Sequence, residues 1–414
     1  MNDGLTLNTL VSLGILLLSG CLGGCLAHQL KFPRISGYII AGILLSPSVT
    51  GILPRTVVTD QSLTITEMAL AVIAYSIGGS LELSRIKRMG RSITWILVGE
   101  TGAAFVVVAV LLAVMGPWIL KSQLPGATFV EVYLPMALII GAVSAATAPA
   151  AVLAIVREYN ARGPLVTTIL SVVALDDAVA IILFSLSSGT AKVFAGAGPA
   201  SIWGMALKPL AIIAGSALMG AVFGVLLSAL GRWMRKSGSF LVLVLGVVLL
   251  CAGIARQMEL SPLLANMVLG LHVVNRSKRG DSLLQSVEGI EEAVFALFFT
   301  VAGAHFDPMV MKTAGMISVI IVAGRFSGKL AGARAGARFS HAPAVVEKYI
   351  GYSLLPKAGV TLGLILMAKS ILSPEVAEVM INAVLGSVII NELIAPPLVK
   401  SVLIRSGEAS TGTA

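Results

Sequence analysis

The sequence predicts an all-α polytopic membrane protein with 13 transmembrane helices. Of the 414 residues, 57% are hydrophobic and only 12% are charged, and the mean hydropathy is +0.96. Soluble domains carry about 25% charged residues. The charged residues gather in short clusters between apolar runs of about 18–25 residues, the length that crosses a bilayer. The apolar runs lack the two-residue alternation of a transmembrane barrel. A soluble globular protein and a disordered protein are both excluded.

Each predicted span is an apolar run with a recognisable end. Short clusters of charged residues separate most of these runs. Only the loops at 117–130 and 189–202 are longer than a few residues without a strong charge cluster. The predicted spans 1 to 13 are 7–27, 34–51, 62–81, 92–116, 131–157, 163–188, 203–231, 238–257, 261–275, 286–306, 311–338, 345–371 and 375–404.

The basic residues predict the orientation. Of the 29 lysines and arginines, 19 lie in the odd loops and the C-terminal tail, and 7 lie in the even loops. Because cytoplasmic loops carry the excess of Lys and Arg, the odd loops are predicted to be cytoplasmic. The protein is then predicted to lie in the cell inner (plasma) membrane, with its N-terminus outside the cell and its C-terminus in the cytoplasm. This asymmetry explains the net charge of +9 without a nucleic-acid partner.

A few charged side chains fall deep inside the spans, away from the basic clusters of the loops. They are Glu100, Asp176, Asp177, Arg325, Lys329 and Lys357, with Glu392 in the last span and expected near its inner interface. A charge within a membrane span costs about 2.5–3.5 kcal/mol on insertion scales. The usual reason to retain one is an ion or proton pathway, and the alternative is a structural ion pair between helices.

Asp176 and Asp177 form an adjacent acidic pair in the middle of span 6. Adjacent helical residues point about 100° apart, so the two carboxylates face different neighbours. Mutual repulsion and apolar surroundings disfavour the state in which both are charged. Such a pair can carry a proton or bind a small cation, but hardly both together.

Two spans combine small residues with a proline at their centre. Span 5 contains Gly141–Pro149 and span 12 contains Pro356–Thr361, and both patterns predict an interrupted helix. The spans occupy equivalent places if spans 1–6 and 8–13 are two inverted repeats joined by span 7. Paired interruptions in inverted repeats are typical of a transporter site at the bilayer midplane.

These segments resemble a known family. Ser144–Leu153 followed by Asp176-Asp177 resembles the monovalent cation/proton antiporter superfamily, in particular its bacterial paired-aspartate branch of sodium/proton and Kef-like potassium/proton antiporters. Further segments resemble other signatures of that family and extend the resemblance over essentially the whole chain: Pro33–Pro47, Phe298–Gly303, Gly328–Gly332 and Ala358–Gly363. Ser46-Pro47 stands where the family usually has Gly-Pro.

The resemblance implies a two-part fold with crossed discontinuous helices. Residues 1–81 and 238–306 would form a panel domain that dimerises, and residues 203–231 would form a linker helix. Residues 92–188 and 311–404 would form a six-helix core. The core would carry the ion and move against the panel in an elevator-type cycle.

The resemblance also implies roles for individual residues. Asp177 would be the main cation and proton site, with Asp176 as its helper. Lys329 would pair with Asp176 when no cation is bound, although Arg325, one turn away, is an alternative partner. The remaining predicted site residues are Thr147 and Ser144 for cation coordination, Pro149 and Lys357 for support of the helix interruptions, and Glu100 for a structural ion pair.

The predicted function is secondary active transport, not enzymatic catalysis. The chain would exchange Na⁺ or Li⁺, ahead of K⁺, for protons without a cofactor, as a homodimer in the lipid bilayer. Exchange would be electrogenic if a cation displaces Lys329 from Asp176 and the unpaired lysine releases a second proton. The alternatives are a Kef-like potassium efflux pathway, a cation channel, or a sensor that uses this fold. The sequence contains no Thr-Val-Gly-Tyr-Gly filter, which disfavours a pore of the potassium-channel kind.

Overall fold

The computed structural model of the protein describes residues 9–54, 58, 62–121, 124–194, 202–233, 240–357, 364–365 and 372–409. The regular secondary structure in these residues is helical. The helices are α1 (Thr9–Gln29), α2 (Arg34–Leu45), α3 (Ser62–Gly79), α4 (Leu83–Ile119), α5 (Leu134–Ala145), α6 (Pro149–Glu158), α7 (Pro164–Phe194), α8 (Ile202–Trp233), α9 (Phe240–Gln257), α10 (Pro262–Arg276), α11 (Gly280–Ala304), α12 (Pro308–Phe339), α13 (Ala344–Ser353) and α14 (Pro374–Arg405). A π-helical turn, Phe129–Tyr133, precedes α5.

The helical membrane architecture agrees with the sequence prediction. Within the described part of the chain, eight helical segments are long and apolar enough to cross a membrane, and two further apolar helices are shorter. Each of the 13 predicted spans overlaps at least one described helix. The number of membrane crossings and the inverted repeats stay predictions.

Some helix boundaries differ from the prediction for local reasons. Span 2 was predicted to reach residue 51, but α2 ends at Leu45. The next residue, Ser46, precedes Pro47 and has a ψ of 140°, because proline disfavours the helical conformation in the residue before it. Span 4 was predicted to start at 92, but α4 begins at Leu83, whose N–H donates to Asn275 Oδ1 at 2.9 Å. No proline interrupts the basic segment that follows Leu83, so the helix continues through it.

The first compact unit comprises Met1–Leu83, Leu153–Tyr159 and Gly215–Pro308. It contains α1–α3, α9–α11, most of α8 and the end of α6. Glycine allows its helices to approach closely, since a Cβ on Gly42 of α2 would lie 2.0 Å from the Thr300 carbonyl oxygen of α11. The Glu158 carboxylate accepts hydrogen bonds from the Arg34 N–H at 3.0 and 3.1 Å and so caps the start of α2.

The second compact unit comprises Ser84–Val152, Asn160–Ala214 and Met309–Ala414. Within it, a Cβ on Gly332 of α12 would lie 2.1 Å from the Gly99 carbonyl oxygen of α4. Only glycine permits this backbone approach, which places Glu100, the residue after Gly99, beside α12. The predicted roles of the two units, a dimerising panel and a moving core, stay predictions.

Candidate functional site

The interruption predicted in span 5 is present. Helix α5 ends at Ala145, Ala146 is extended with a ψ of 141°, and α6 begins at Pro149. Proline fits the first position of a helix because no N–H is needed there. The extended residues between α5 and α6 leave carbonyl and amide groups without helical partners.

A second interruption follows α13 and contacts the first. Helix α13 ends at Ser353, and residues 355–357 are not helical. The Ala148 N–H of the first interruption donates to the Pro356 carbonyl oxygen at 2.9 Å, so the two segments are in direct contact. The rest of the predicted second crossing segment, Ala358–Gly363, lies outside the described residues.

Arg325 of α12 connects the two interrupted segments through its guanidinium group. It donates to the carbonyl oxygens of Ser144 at 2.9 Å and Ala146 at 2.7 Å on one side. On the other side it donates to Pro356 at 3.2 Å and to Leu355. A buried cation at the carboxyl ends of α5 and α13 satisfies their free carbonyls and offsets their dipoles. The hydrogen bonds described for Arg325 thus go to carbonyl groups and not to Asp176.

The paired aspartates lie on α7, and both side chains are buried. Helix α7 is held at its start by Glu408, whose carboxylate accepts from the N–H groups of Leu165 and Val166, each at 2.8 Å. Among the described residues, neither carboxylate oxygen of Asp177 has a hydrogen-bond partner. A buried carboxylate of this kind can take a proton, a cation or a water molecule as its partner.

Lys329 of α12 lies between two carboxylates. Its Nζ forms an ion pair with Glu100 and lies 3.5 Å from Asp176 Oδ2. It also donates to Thr147 Oγ1 at 2.7 Å in the first interruption. All four side chains are buried. The structure therefore brings Lys329 close to its predicted partner Asp176, and places Glu100 closer still.

Lys357 lies in the non-helical residues of the second interruption. Its Nζ lies 3.1 Å from Ser387 Oγ and 3.5 Å from Ser144 Oγ, and its backbone N–H donates to Glu392 Oε1 at 2.9 Å. Asn391 adds a hydrogen bond from Nδ2 to the Leu355 carbonyl oxygen at 2.8 Å. Glu392 is buried and bonded to the Lys357 backbone, and its predicted position near the inner interface stays a prediction.

Sequence reasoning did not assign Ser387, Asn391 and Glu392 of α14 to the site. The available signal was three polar residues, spaced four and then one residue apart, within the otherwise apolar stretch 383–399. Residues i and i+4 share a helix face, so Ser387 and Asn391 can both reach the interruption.

The fold and this site define a class of protein. Buried carboxylates beside two touching interrupted helices, in an apolar all-helical chain, are the arrangement of a secondary transporter for small cations or protons. The family described as "Sodium/hydrogen exchanger, transmembrane" matches residues 14–401, and the chain belongs to this family. The resemblance stated from the sequence is thereby confirmed, and the chain is a multi-pass membrane transporter.

Two solved structures show the same fold. Both are of the sodium proton antiporter MjNhaP1 from Methanocaldococcus jannaschii, at 15% sequence identity. One matches with a TM-score of 0.72 and covers 96% of this chain and 98% of that chain. The other matches with a TM-score of 0.75 and covers 97% and 99%.

A curated relative matches at the level of sequence. It is the ammonium/H⁺ antiporter subunit AmhT of Alkalihalophilus pseudofirmus, 25% identical over 298 residues. The match covers 71% of this chain and 70% of the relative.

Proposed function

We propose that this protein exchanges a monovalent cation for protons across the membrane, and that Asp177 binds the two in turn. The observation that carries this proposal is the buried Asp177 carboxylate, which has no hydrogen-bond partner among the described residues. A charge in that position requires a counter-ion, and either a cation or a proton supplies one. Binding is then mutually exclusive, and this exclusion couples the two fluxes.

The cation is coordinated by oxygen atoms next to the first interruption. Asp176 and Asp177 supply carboxylate oxygens, and Thr147 and Ser144 supply hydroxyl or carbonyl oxygens. We propose Na⁺ or Li⁺ ahead of K⁺ as the transported ion. Because a relative is named as an ammonium/H⁺ antiporter subunit, ammonium belongs among the cations to be tested.

Transport follows an elevator-type cycle in this proposal. The second compact unit carries Asp176, Asp177 and both interrupted segments, and it moves with either the cation or protons bound. The first unit forms a homodimer in the plasma membrane, with the N-terminus of the chain outside and the C-terminus in the cytoplasm. Exchange is electrogenic, with two protons per cation.

Proton-coupled flux in proteoliposomes tests this function. The purified protein is reconstituted with a pH-sensitive dye inside, and Na⁺, Li⁺, K⁺ and ammonium gradients are imposed one at a time. We expect saturable proton movement opposite to at least one cation, at a carrier-like rate. Single-channel currents would instead support the channel alternative. A lack of exchange with every one of these cations would contradict the proposal.

A further inference from the structure

Lys329 lies between two carboxylates, and this position indicates which group carries the second of the two protons exchanged for each cation. Nζ forms its ion pair with Glu100 Oε2, while Asp176 Oδ2 lies 3.5 Å away. Thr147 Oγ1, at 2.7 Å, accepts a hydrogen bond from the same amine. A small rotation of the lysine side chain is enough to exchange one carboxylate for the other, since both are already within ion-pair distance.

Each of the two carboxylates also has a second oxygen that could accept a proton. Glu100 Oε1 and Asp176 Oδ1 are buried and have no hydrogen-bond partner among the described residues. Among the described residues, the charged groups near Glu100 are Lys329 and Arg325 of α12 and Asp176 of α7. Arg325 is bound to carbonyl oxygens of the interrupted segments, and Lys329 is the cation within ion-pair distance of both Glu100 and Asp176.

The charges at Glu100, Asp176 and Lys329 balance differently when the site holds a cation and when it holds protons. When a cation occupies the aspartates, Lys329 pairs with Glu100 and both remain charged. When protons replace the cation, Asp177 is protonated and Lys329 compensates Asp176. Glu100 then has no lysine partner, and an uncompensated carboxylate in a membrane span is costly, so it takes up a proton.

We propose that Glu100 carries the second proton of the exchange, and that Lys329 keeps its own proton and alternates between Asp176 and Glu100. One cation enters, and two protons leave, one from Asp177 and one from Glu100. This assignment rests on the proposed function, and it replaces release of the second proton from the lysine. The cycle moves one net charge, because two positive charges are exchanged for one.

Counting protons released per bound cation tests the assignment. The purified protein in weakly buffered detergent solution is titrated with Na⁺, or with whichever cation proves active, and pH and bound cation are measured together. We expect about two protons per cation for the wild type and about one for Glu100→Gln. Glu291→Gln is the control, because Glu291 is a buried carboxyl of α11 in the first compact unit that pairs with Arg157 and is not part of this site. We expect this variant to retain the wild-type ratio. A ratio of about two in Glu100→Gln, or about one in the wild type, would overturn the assignment.

A measurement on the wild type covers the case in which Glu100→Gln does not fold. Cation-induced infrared difference spectra report the loss of protonated carboxyl groups directly. We expect two carboxyl groups to lose their protons on cation binding, one of which is Asp177. Loss of a single carboxyl proton would indicate that the lysine releases the second proton, and would overturn the assignment. If no cation binds the wild-type protein at all, the proposed function itself fails, which is a separate result.

Discussion

At the scale of single residues, Asp177 is the side chain on which the proposed exchange depends. We expect Asp177→Asn to abolish exchange while the protein still folds, because the amide keeps the size of the side chain but neither releases a proton nor offers a full negative charge. Cation-driven proton flux in proteoliposomes is the measurement, and size-exclusion behaviour reports folding. Asp281→Asn, on the exposed first turn of α11, is the matched control. Normal exchange by Asp177→Asn would remove this residue from the mechanism.

Thr147 contributes an oxygen at the first interruption, where it also accepts a hydrogen bond from Lys329 at 2.7 Å. We expect Thr147→Val to weaken apparent cation affinity about five- to tenfold, equivalent to about 1–1.4 kcal/mol, because one oxygen is lost at nearly constant volume. The concentration dependence of cation-driven flux measures this affinity. Thr168→Val is the control, since the hydrogen bond described for that hydroxyl stays within α7 and goes to the Pro164 carbonyl at 2.7 Å. An unchanged affinity in Thr147→Val would mean that this hydroxyl does not coordinate the cation.

At the scale of helices, Arg325 joins the ends of two interrupted segments by hydrogen bonds to four carbonyl groups. We expect Arg325→Gln to destabilise the protein by at least about 2 kcal/mol, because a buried carbonyl without a partner costs about 1–3 kcal/mol. Thermal unfolding in detergent measures the loss. Arg334→Gln, at an exposed position of the same helix, is expected to change the midpoint little. Equal midpoints for both variants would show that the bonds to these carbonyls add no stability.

The approach of α4 to α12 is a second property of the helices. We expect Gly332→Ala to destabilise the protein by about 1–3 kcal/mol and to weaken the Glu100–Lys329 pair, because the new Cβ would lie 2.1 Å from the Gly99 carbonyl oxygen. Thermal unfolding and proton-coupled flux are the measurements. Gly315→Ala in the same helix meets nothing within 4 Å and is expected to be neutral or stabilising by up to about 1 kcal/mol. Wild-type stability and flux in Gly332→Ala would contradict this account of the packing.

The helices and the first interruption could be predicted from residue types alone. Apolar run length specifies a membrane helix, and small residues before Pro149 specify a break, so both signals are local. The carbonyl contacts of Arg325 and the site residues of α14 could not be predicted, because they depend on which helices pack together. Asp176 and Asp177 could be recognised as unusual, but the sequence does not reveal that Glu100 lies closer than Asp176 to Lys329.

At the scale of the whole molecule, the account requires that a proton gradient can drive a cation uphill. The direct measurement is accumulation of labelled cation in proteoliposomes that contain equal cation concentrations on both sides, with the interior acidic and the membrane potential clamped. Protons leaving down their gradient should concentrate the cation inside above the external level, and Asp177→Asn should not support this. If the wild-type protein lets the cation equilibrate but never accumulate, it is a passive pathway and the proposed exchange is wrong.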